Sequence, residues 1–164
     1  MPLTLDTLNP ESPAFWLRLG TAVLCGSIIG LERQLRGKAA GIRTSILICL
    51  GTQLFVALGA SFAGDRVDPT RVLAQVVTGI GFLGGGVILA RDGLITGVTS
   101  AAVIWVLAAI GATIGLGHLF GAIVLTLATL GVLLGVELLE AGFRRLRQGG
   151  ADRELEEIEI EKSP

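Results

Sequence analysis

The sequence predicts an all-α fold, a polytopic transmembrane bundle of about five helices with its N-terminus outside and its C-terminus in the cytoplasm. Hydrophobic residues make up 51% of the 164 residues and the mean hydropathy is +0.73, which is typical of an integral membrane protein. The 24 glycines are about twice the usual share of roughly 7%. Each glycine inside a helix costs about 1 kcal/mol in water, whereas in a bilayer small residues let helices approach closely. The composition therefore favours a membrane bundle.

The charged residues divide the chain into three predicted regions. Residues 1–14 form a periplasmic N-terminal segment, residues 15–140 the transmembrane domain and residues 141–164 a charged cytoplasmic tail. We expect no cleaved signal peptide, because the first segment has no Lys or Arg and no short apolar core before a cleavage site. The tail is rich in glutamate, so we expect it to be solvated or weakly helical, with a docking element as the alternative.

The first two apolar runs flank a basic loop. The first covers residues 15–31, with Trp16 at its start, where an amphipathic ring suits the membrane interface. Arg18 lies about one turn inside; we expect it to snorkel to the headgroups, and an ion-path role is the alternative. The loop at 32–43 carries four basic residues and one acid, which predicts a cytoplasmic location. The second run, 44–63, is long enough to cross a hydrocarbon core of about 30 Å.

The third run, residues 72–90, is the glycine-rich centre of the predicted bundle. Residues spaced three and four apart lie on one face of this helix, and we expect that face to point inward. They are Gln75, Thr78, Gly79, Phe82 and Gly86. A tight cytoplasmic turn is predicted at Arg91-Asp92-Gly93, because glycine supplies backbone freedom.

The fourth run covers residues 94–115 and the fifth covers residues 119–139, with a short outer turn between them. Trp105 lies near the middle of the fourth run, which suits helix packing better than an interfacial belt. A second basic cluster at residues 144–147 follows the fifth run, and the positive-inside rule again predicts the cytoplasm. The two basic clusters predict the same orientation. With the N-terminus outside and the C-terminus inside, the chain must cross the membrane an odd number of times.

Small residues spaced four apart predict the contact faces of the helices, because they allow close backbone approach. Some of these faces are candidates for contact with a partner, since one small bundle does not need them all. The glycines assigned to packing are Gly26, Gly30, Gly79, Gly81, Gly85, Gly86, Gly131 and Gly135.

The densest polar constellation is predicted at the inner ends of the helices. Two interpretations stand side by side: a structural lattice of ion pairs that joins helices one to four, and a functional ion or ligand site. In either case Glu32 and Asp92 need cations or backbone donors as partners, because a carboxylate at this depth is costly alone. The members of this predicted cluster are Glu32, Arg33, Arg43, Thr44, Gln75, Arg91, Asp92 and Thr99.

Several other chemistries are disfavoured by the pattern. The glycines at 79–86 lack the Lys-Ser/Thr end of a phosphate-binding loop and are not framed by a strand. Asp65 and Asp68 could meet a divalent cation, but a solvated loop is favoured, and His118 stands alone. The two cysteines lie in apolar runs, where packing is favoured over a disulfide. We therefore expect no enzyme activity, no cofactor and no nucleic-acid partner, and we assign no metal ligands.

Several separate segments form a specific pattern: residues 30–34 (GLERQ), 36–44 (RGKAAGIRT), 75–86 (QVVTGIGFLGGG), 91–93 (RDG) and 99–102 (TSAA), with Trp105 and residues 108–111 (AAIG). In this order they resemble the MgtC/SapB family of membrane proteins, and the resemblance covers residues 15–140.

That resemblance implies a bacterial inner-membrane protein of about five helices, associated with growth under magnesium limitation and with inhibition of the F-type ATP synthase. We expect a short form without the soluble C-terminal domain of longer members, and Ser45 stands where many of them carry histidine. The expected partners are the bilayer, further copies of the chain and a membrane complex such as the ATP synthase. The function expected is modulation of such a partner; the alternative is a transporter of a cation, Mg²⁺ or proton-coupled, or of a small solute.

Overall fold

The computed structural model describes residues 8–61, 70–91 and 94–136. The chain divides into two units, residues 1–129 and residues 130–164; of the second unit only 130–136 are described, and they are helical. The elements are α1 (Pro13–Leu35), α2 (Ile42–Ser61), α3 (Thr70–Gly85), β1 (Leu89–Arg91), β2 (Leu94–Thr96), α4 (Val98–Gly115) and α5 (Leu119–Val136). The all-α prediction is confirmed, with one short hairpin added.

Four of the described helices, α1, α2, α4 and α5, are long and apolar enough to cross a membrane. They contain 18 to 23 residues, which at about 1.5 Å per residue gives about 27 to 35 Å, close to the thickness of the hydrocarbon core. α3 has 16 residues and reaches about 24 Å by the same rise. The chain is therefore a polytopic membrane protein whose third helix is short.

The prediction of one continuous third helix over residues 72–90 is wrong at its C-terminal end. α3 ends at Gly85, and β1 and β2 then pair antiparallel with Leu89 opposite Thr96 and Ala90 opposite Ile95. The run of glycines at 84–86 lowers helix propensity where the chain must turn. Asp92 and Gly93, which complete the predicted tight turn, lie outside the described residues.

The fourth helix also starts later than predicted, at Val98 rather than residue 94. The residue before it, Gly97, has φ +88°, and a Cβ there would collide with the carbonyl oxygen of Val87. Only glycine meets both conditions without strain, because it lacks a Cβ. Gly97 therefore sets the boundary between the hairpin and α4.

α1, α2 and α4 form the packed core of the first unit. A Cβ at Gly26 would lie 2.7 Å from the Ile46 Cα, and a Cβ at Gly111 would lie 2.6 Å from the Cys49 carbonyl oxygen. Glycines on α1 and α4 thus bring both helices against the α2 backbone. Cys25 and Cys49 are buried free thiols in this core, and the Cys49 thiol donates to the Leu107 carbonyl oxygen at 3.4 Å.

α3 lies at the side of this core, and the face expected to point inward is exposed. Gln75, Thr78, Gly79 and Gly86 are all exposed, and Phe82 is 84% exposed. The buried residues of α3 are Ile80 and Gly84. The expectation is wrong because spacing identifies residues that share a face but does not say which face meets the neighbouring helices.

Candidate functional site

The end of α1 carries a buried charged cluster. Glu32 and Arg33 are 7% and 3% exposed, and their side chains approach to 3.6 Å between Oε2 and Nη1. Arg36, one turn further on, brings its Nε to 2.6 Å from Glu32 Oε1. Arg33 Nη2 also donates a hydrogen bond to Ser100 Oγ on α4, at 3.2 Å. We call these four side chains, Glu32, Arg33, Arg36 and Ser100, the inner cluster.

The inner cluster is not fully satisfied. Within the described residues, neither carboxylate oxygen of Glu32 accepts a hydrogen bond of good geometry, and Arg33 Nε donates none. The ion pairs supply Coulombic stabilisation, but buried groups with unfilled hydrogen-bonding capacity carry a desolvation cost. Among the described residues, the Glu32 carboxylate faces the guanidinium groups of Arg33 and Arg36.

Four other members of the predicted cluster are exposed, and their part in a functional site stays a prediction. They are Arg43, Thr44, Gln75 and Thr99. The side chain of Arg91 and the whole of Asp92 lie outside the described part of the chain. Sequence spacing placed these residues near helix ends, but it could not show which side chains turn toward one another.

Thr44 and Gln75 instead line a cavity between α2 and α3, which we call the α2–α3 groove. Its volume is about 600 Å³. Its walls are mostly apolar, and Thr44, Thr52 and Gln75 supply the polar side chains. The lining residues are Thr44, Leu47, Ile48, Gly51, Thr52, Phe55, Val72, Gln75, Val76, Gly79, Ile80 and Leu83.

Two polar contacts outside the predicted cluster also join the helices. Arg18 is 9% exposed and its Nη1 donates to the carbonyl oxygen of Gly115 at the end of α4, at 3.1 Å. The Arg18 guanidinium is therefore held by the end of α4, and both its snorkelling to the headgroups and an ion-path role stay predictions. A cation at a helix C-terminus is stabilised by the helix dipole, and an arginine inside an apolar run was the sequence signal for such a contact. Ser45 Oγ, also buried, donates to the Ala40 carbonyl oxygen at 2.9 Å.

The glycines assigned to packing occupy different environments. A Cβ at Gly30 would come 2.6 Å from the Ile42 Cα, so Gly30, like Gly26, lies against α2. A Cβ at Gly79, Gly81 or Gly85 would meet no atom of the described chain within 4 Å. Gly86 lies in the turn after α3, near the carbonyl oxygens of residues 82 and 83. Gly131 and Gly135 lie in the second unit, and their packing role stays a prediction.

No metal site is visible in the described residues, which contain no group of three or more His, Cys, Asp and Glu side chains able to hold a metal ion. Asp65 and Asp68 lie outside those residues. His118 is exposed in the turn between α4 and α5.

Residues 19–141, which include the inner cluster and the α2–α3 groove, match the model of the MgtC family. The chain belongs to the MgtC family. Similar proteins include the putative magnesium transporter YhiD of Escherichia coli K12, 48% identical over 110 residues that cover 63% of this chain and 51% of that protein. Protein MgtC of Brucella abortus strain 2308 is 42% identical over 135 residues, covering 80% of this chain and 56% of that protein.

The alignments cover only part of each relative's length. An uncharacterised protein of Haemophilus influenzae is 37% identical over 139 residues, or 79% of this chain and 57% of that protein. The chain thus spans about half the length of the curated relatives it matches. No solved structure matches the chain. Family membership and the four apolar helices together establish a membrane protein.

Proposed function

We propose that this chain is a non-enzymatic protein of the bacterial inner membrane that serves adaptation to magnesium limitation by modulating a partner in the membrane plane. The observation that carries the proposal is that the core helices pack closely whereas one face of the third helix is exposed. α1, α2 and α4 are brought together by glycines that leave no room for a Cβ, whereas one side of α3 is left uncovered by the described residues. The magnesium link rests on family membership and on the name of the E. coli relative.

The proposed contact surface is the outward face of α3, formed by Thr78, Gly81, Phe82 and Gly85. These residues follow the spacing of one helix face. Gly81 and Gly85 have open space where a Cβ would lie, and Phe82 is 84% exposed. Membrane helices associate through small residues that permit close backbone approach. The surface therefore suits a helix of another membrane protein, and the F-type ATP synthase is the first candidate because of the family resemblance.

The test is photo-crosslinking in native membranes of cells grown at low magnesium. A photoreactive amino acid at position 82 should yield an adduct with a membrane protein, and Gly81→Leu should remove that adduct by filling the contact surface. Gly20→Leu is the matched control, because Gly20 is also exposed and has no described neighbour within 4 Å of a Cβ. An adduct that survives Gly81→Leu, or no protein adduct at all, contradicts the proposal.

A transporter is the second candidate, and the buried Glu32 carboxylate with unfilled hydrogen-bonding capacity favours it. Flux of magnesium and protons, measured in proteoliposomes with internal dyes, tests this function. Flux by wild type that is lost in Glu32→Gln and Asp92→Asn would support transport, whereas wild-type flux equal to that of empty liposomes would exclude it for these ions.

A further inference from the structure

We propose that the α2–α3 groove binds an uncharged lipid, with an apolar chain along the groove and a carbonyl or hydroxyl group at Gln75, one of the polar side chains that line it. Such a site is separate from the outward face of α3, and it stands whether or not that face binds a protein. Nothing in the family match or in the relatives' names assigns a ligand to this groove.

The size and walls of the groove suit the apolar part of a lipid. Its volume of about 600 Å³ falls in the range of about 300–1,000 Å³ typical of ligand pockets. Leu47, Phe55 and Leu83 line the groove and are between 50% and 67% exposed. Because these side chains are open to the surroundings of a membrane helix, lipid can reach the groove from the bilayer.

The space exists because two lining residues lack side chains. Gly51 on α2 and Gly79 on α3 both line the groove. A Cβ at either position would contact no other atom within 4 Å in the described part of the chain. These glycines are therefore not held by close packing within the first unit, in contrast to Gly26 and Gly111. The groove is wider because Gly51 and Gly79 have no side chain.

The polar side chains of the groove make no hydrogen bond among the described residues. Thr52 is 4% exposed, yet its hydroxyl makes no hydrogen bond with any described residue, and the same is true of Thr44 and Gln75. Other threonines in these helices donate to the carbonyl oxygen four residues earlier at 2.7 to 3.0 Å: Thr21, Thr78, Thr113, Thr126 and Thr129. A polar group without a partner is costly in hydrocarbon. A carbonyl or hydroxyl on a bound molecule would remove that cost.

The charge of the groove selects the class of lipid. No charged side chain of the described residues lines it, so the described walls do not neutralise a phosphate or a carboxylate. Burial of an unpaired charge is far more costly than burial of a neutral polar group. The ligand should therefore be a neutral lipid that resembles a diacylglycerol rather than an anionic phospholipid.

The experiment uses the full chain in phosphatidylcholine nanodiscs with a photoactivatable diacylglycerol as the probe. Wild type should be labelled on peptides from α2 and α3, and Gly79→Leu should abolish most of this labelling by filling the groove. Gly81→Leu is the matched control, because Gly81 has equal open space on the same helix but does not line the groove. Gln75→Leu should raise the probe concentration for half-maximal labelling about threefold to tenfold, the loss expected for one hydrogen bond.

Further outcomes distinguish a neutral lipid from an anionic lipid and the groove from the partner surface. A phosphatidylglycerol probe with the same chains should label the groove less than the neutral probe does. Equal labelling of wild type and Gly79→Leu overturns the inference. Since Gly81→Leu tests the partner surface and Gly79→Leu tests the groove, failure of one proposal is distinguishable from failure of the other.

Discussion

Arg33 on α1 and Ser100 on α4 are joined by a hydrogen bond of 3.2 Å from Nη2 to Oγ, and both residues are less than 5% exposed. At the opposite ends of the same two helices, Arg18 donates to the Gly115 carbonyl oxygen at 3.1 Å. α1 and α4 are therefore antiparallel and are fastened at both ends by arginine. This arrangement gives the two arginines distinct structural roles.

Arg33→Met is expected to destabilise the protein strongly. It removes one of the two cations near Glu32, and breaking a buried ion pair costs about 3–5 kcal/mol. Unfolding of the purified protein in mixed micelles measures the change. Adding Glu32→Gln should recover part of the loss, because it removes the carboxylate that Arg33 neutralised. Arg43→Gln, at an exposed position, is the control, and a stability of Arg33→Met equal to that of this control would refute the role of the pair.

Ser100→Ala is expected to cost about 1.5–3 kcal/mol, the contribution of a hydrogen bond to a charged group. The loss should vanish in the Arg33→Met background, because the donor is already gone. A double-mutant cycle on the same unfolding assay measures this coupling. Thr99→Ala changes the neighbouring exposed hydroxyl and should be nearly neutral. Additive effects of Ser100→Ala and Arg33→Met would contradict the contact.

Gly26→Ala is expected to destabilise the core, whereas Gly20→Ala on the same helix should not. A Cβ at Gly26 would lie 2.7 Å from Ile46 Cα, and the obstacle is backbone, which yields little. Overpacking of this kind typically costs about 1–3 kcal/mol. Thermal unfolding in one detergent compares the two variants directly. A stability gain in both would mean that helix propensity outweighs the contact.

Arg18→Met is expected to loosen the end of the bundle near the α4–α5 turn. It keeps much of the apolar stem but removes the donor to the Gly115 carbonyl oxygen and the charge at the helix end, which together amount to about 1–3 kcal/mol. Hydrogen exchange at the amides of residues 112–118 should rise, while exchange near Ser100 should not change. An equal rise in hydrogen exchange along the whole of α4 would contradict a local role of Arg18.

The orientation of the helices predicts which loops share a side of the membrane. Since the Arg33 end of α1 meets the Ser100 end of α4, cysteines placed at Lys38 and Leu94 should react with a membrane-impermeant thiol reagent from the cytoplasm. A cysteine at His118 should react from the periplasm. The native Cys25 and Cys49 are buried and should give little background. Labelling of positions 38 and 118 from the same side would contradict the topology.

The sequence alone was sufficient for the membrane character, the family and most of the helix positions. These features depend on local composition, because the transfer of apolar side chains into a bilayer is nearly independent of their neighbours. It also indicated that Glu32 would need cationic partners. The family segments were recognisable because they are short and continuous in the chain.

Only the tertiary structure decided which groups meet. Helical periodicity placed Gln75 and Phe82 on one face, but neighbouring helices determined that this face lies outside the core. The end of α3 at Gly85 depends on the hairpin that follows, and the choice of Ser100 as a partner for Arg33 depends on how α1 and α4 cross. Such contacts join residues far apart in the chain, and in a bilayer close packing, rather than apolar burial, selects among them.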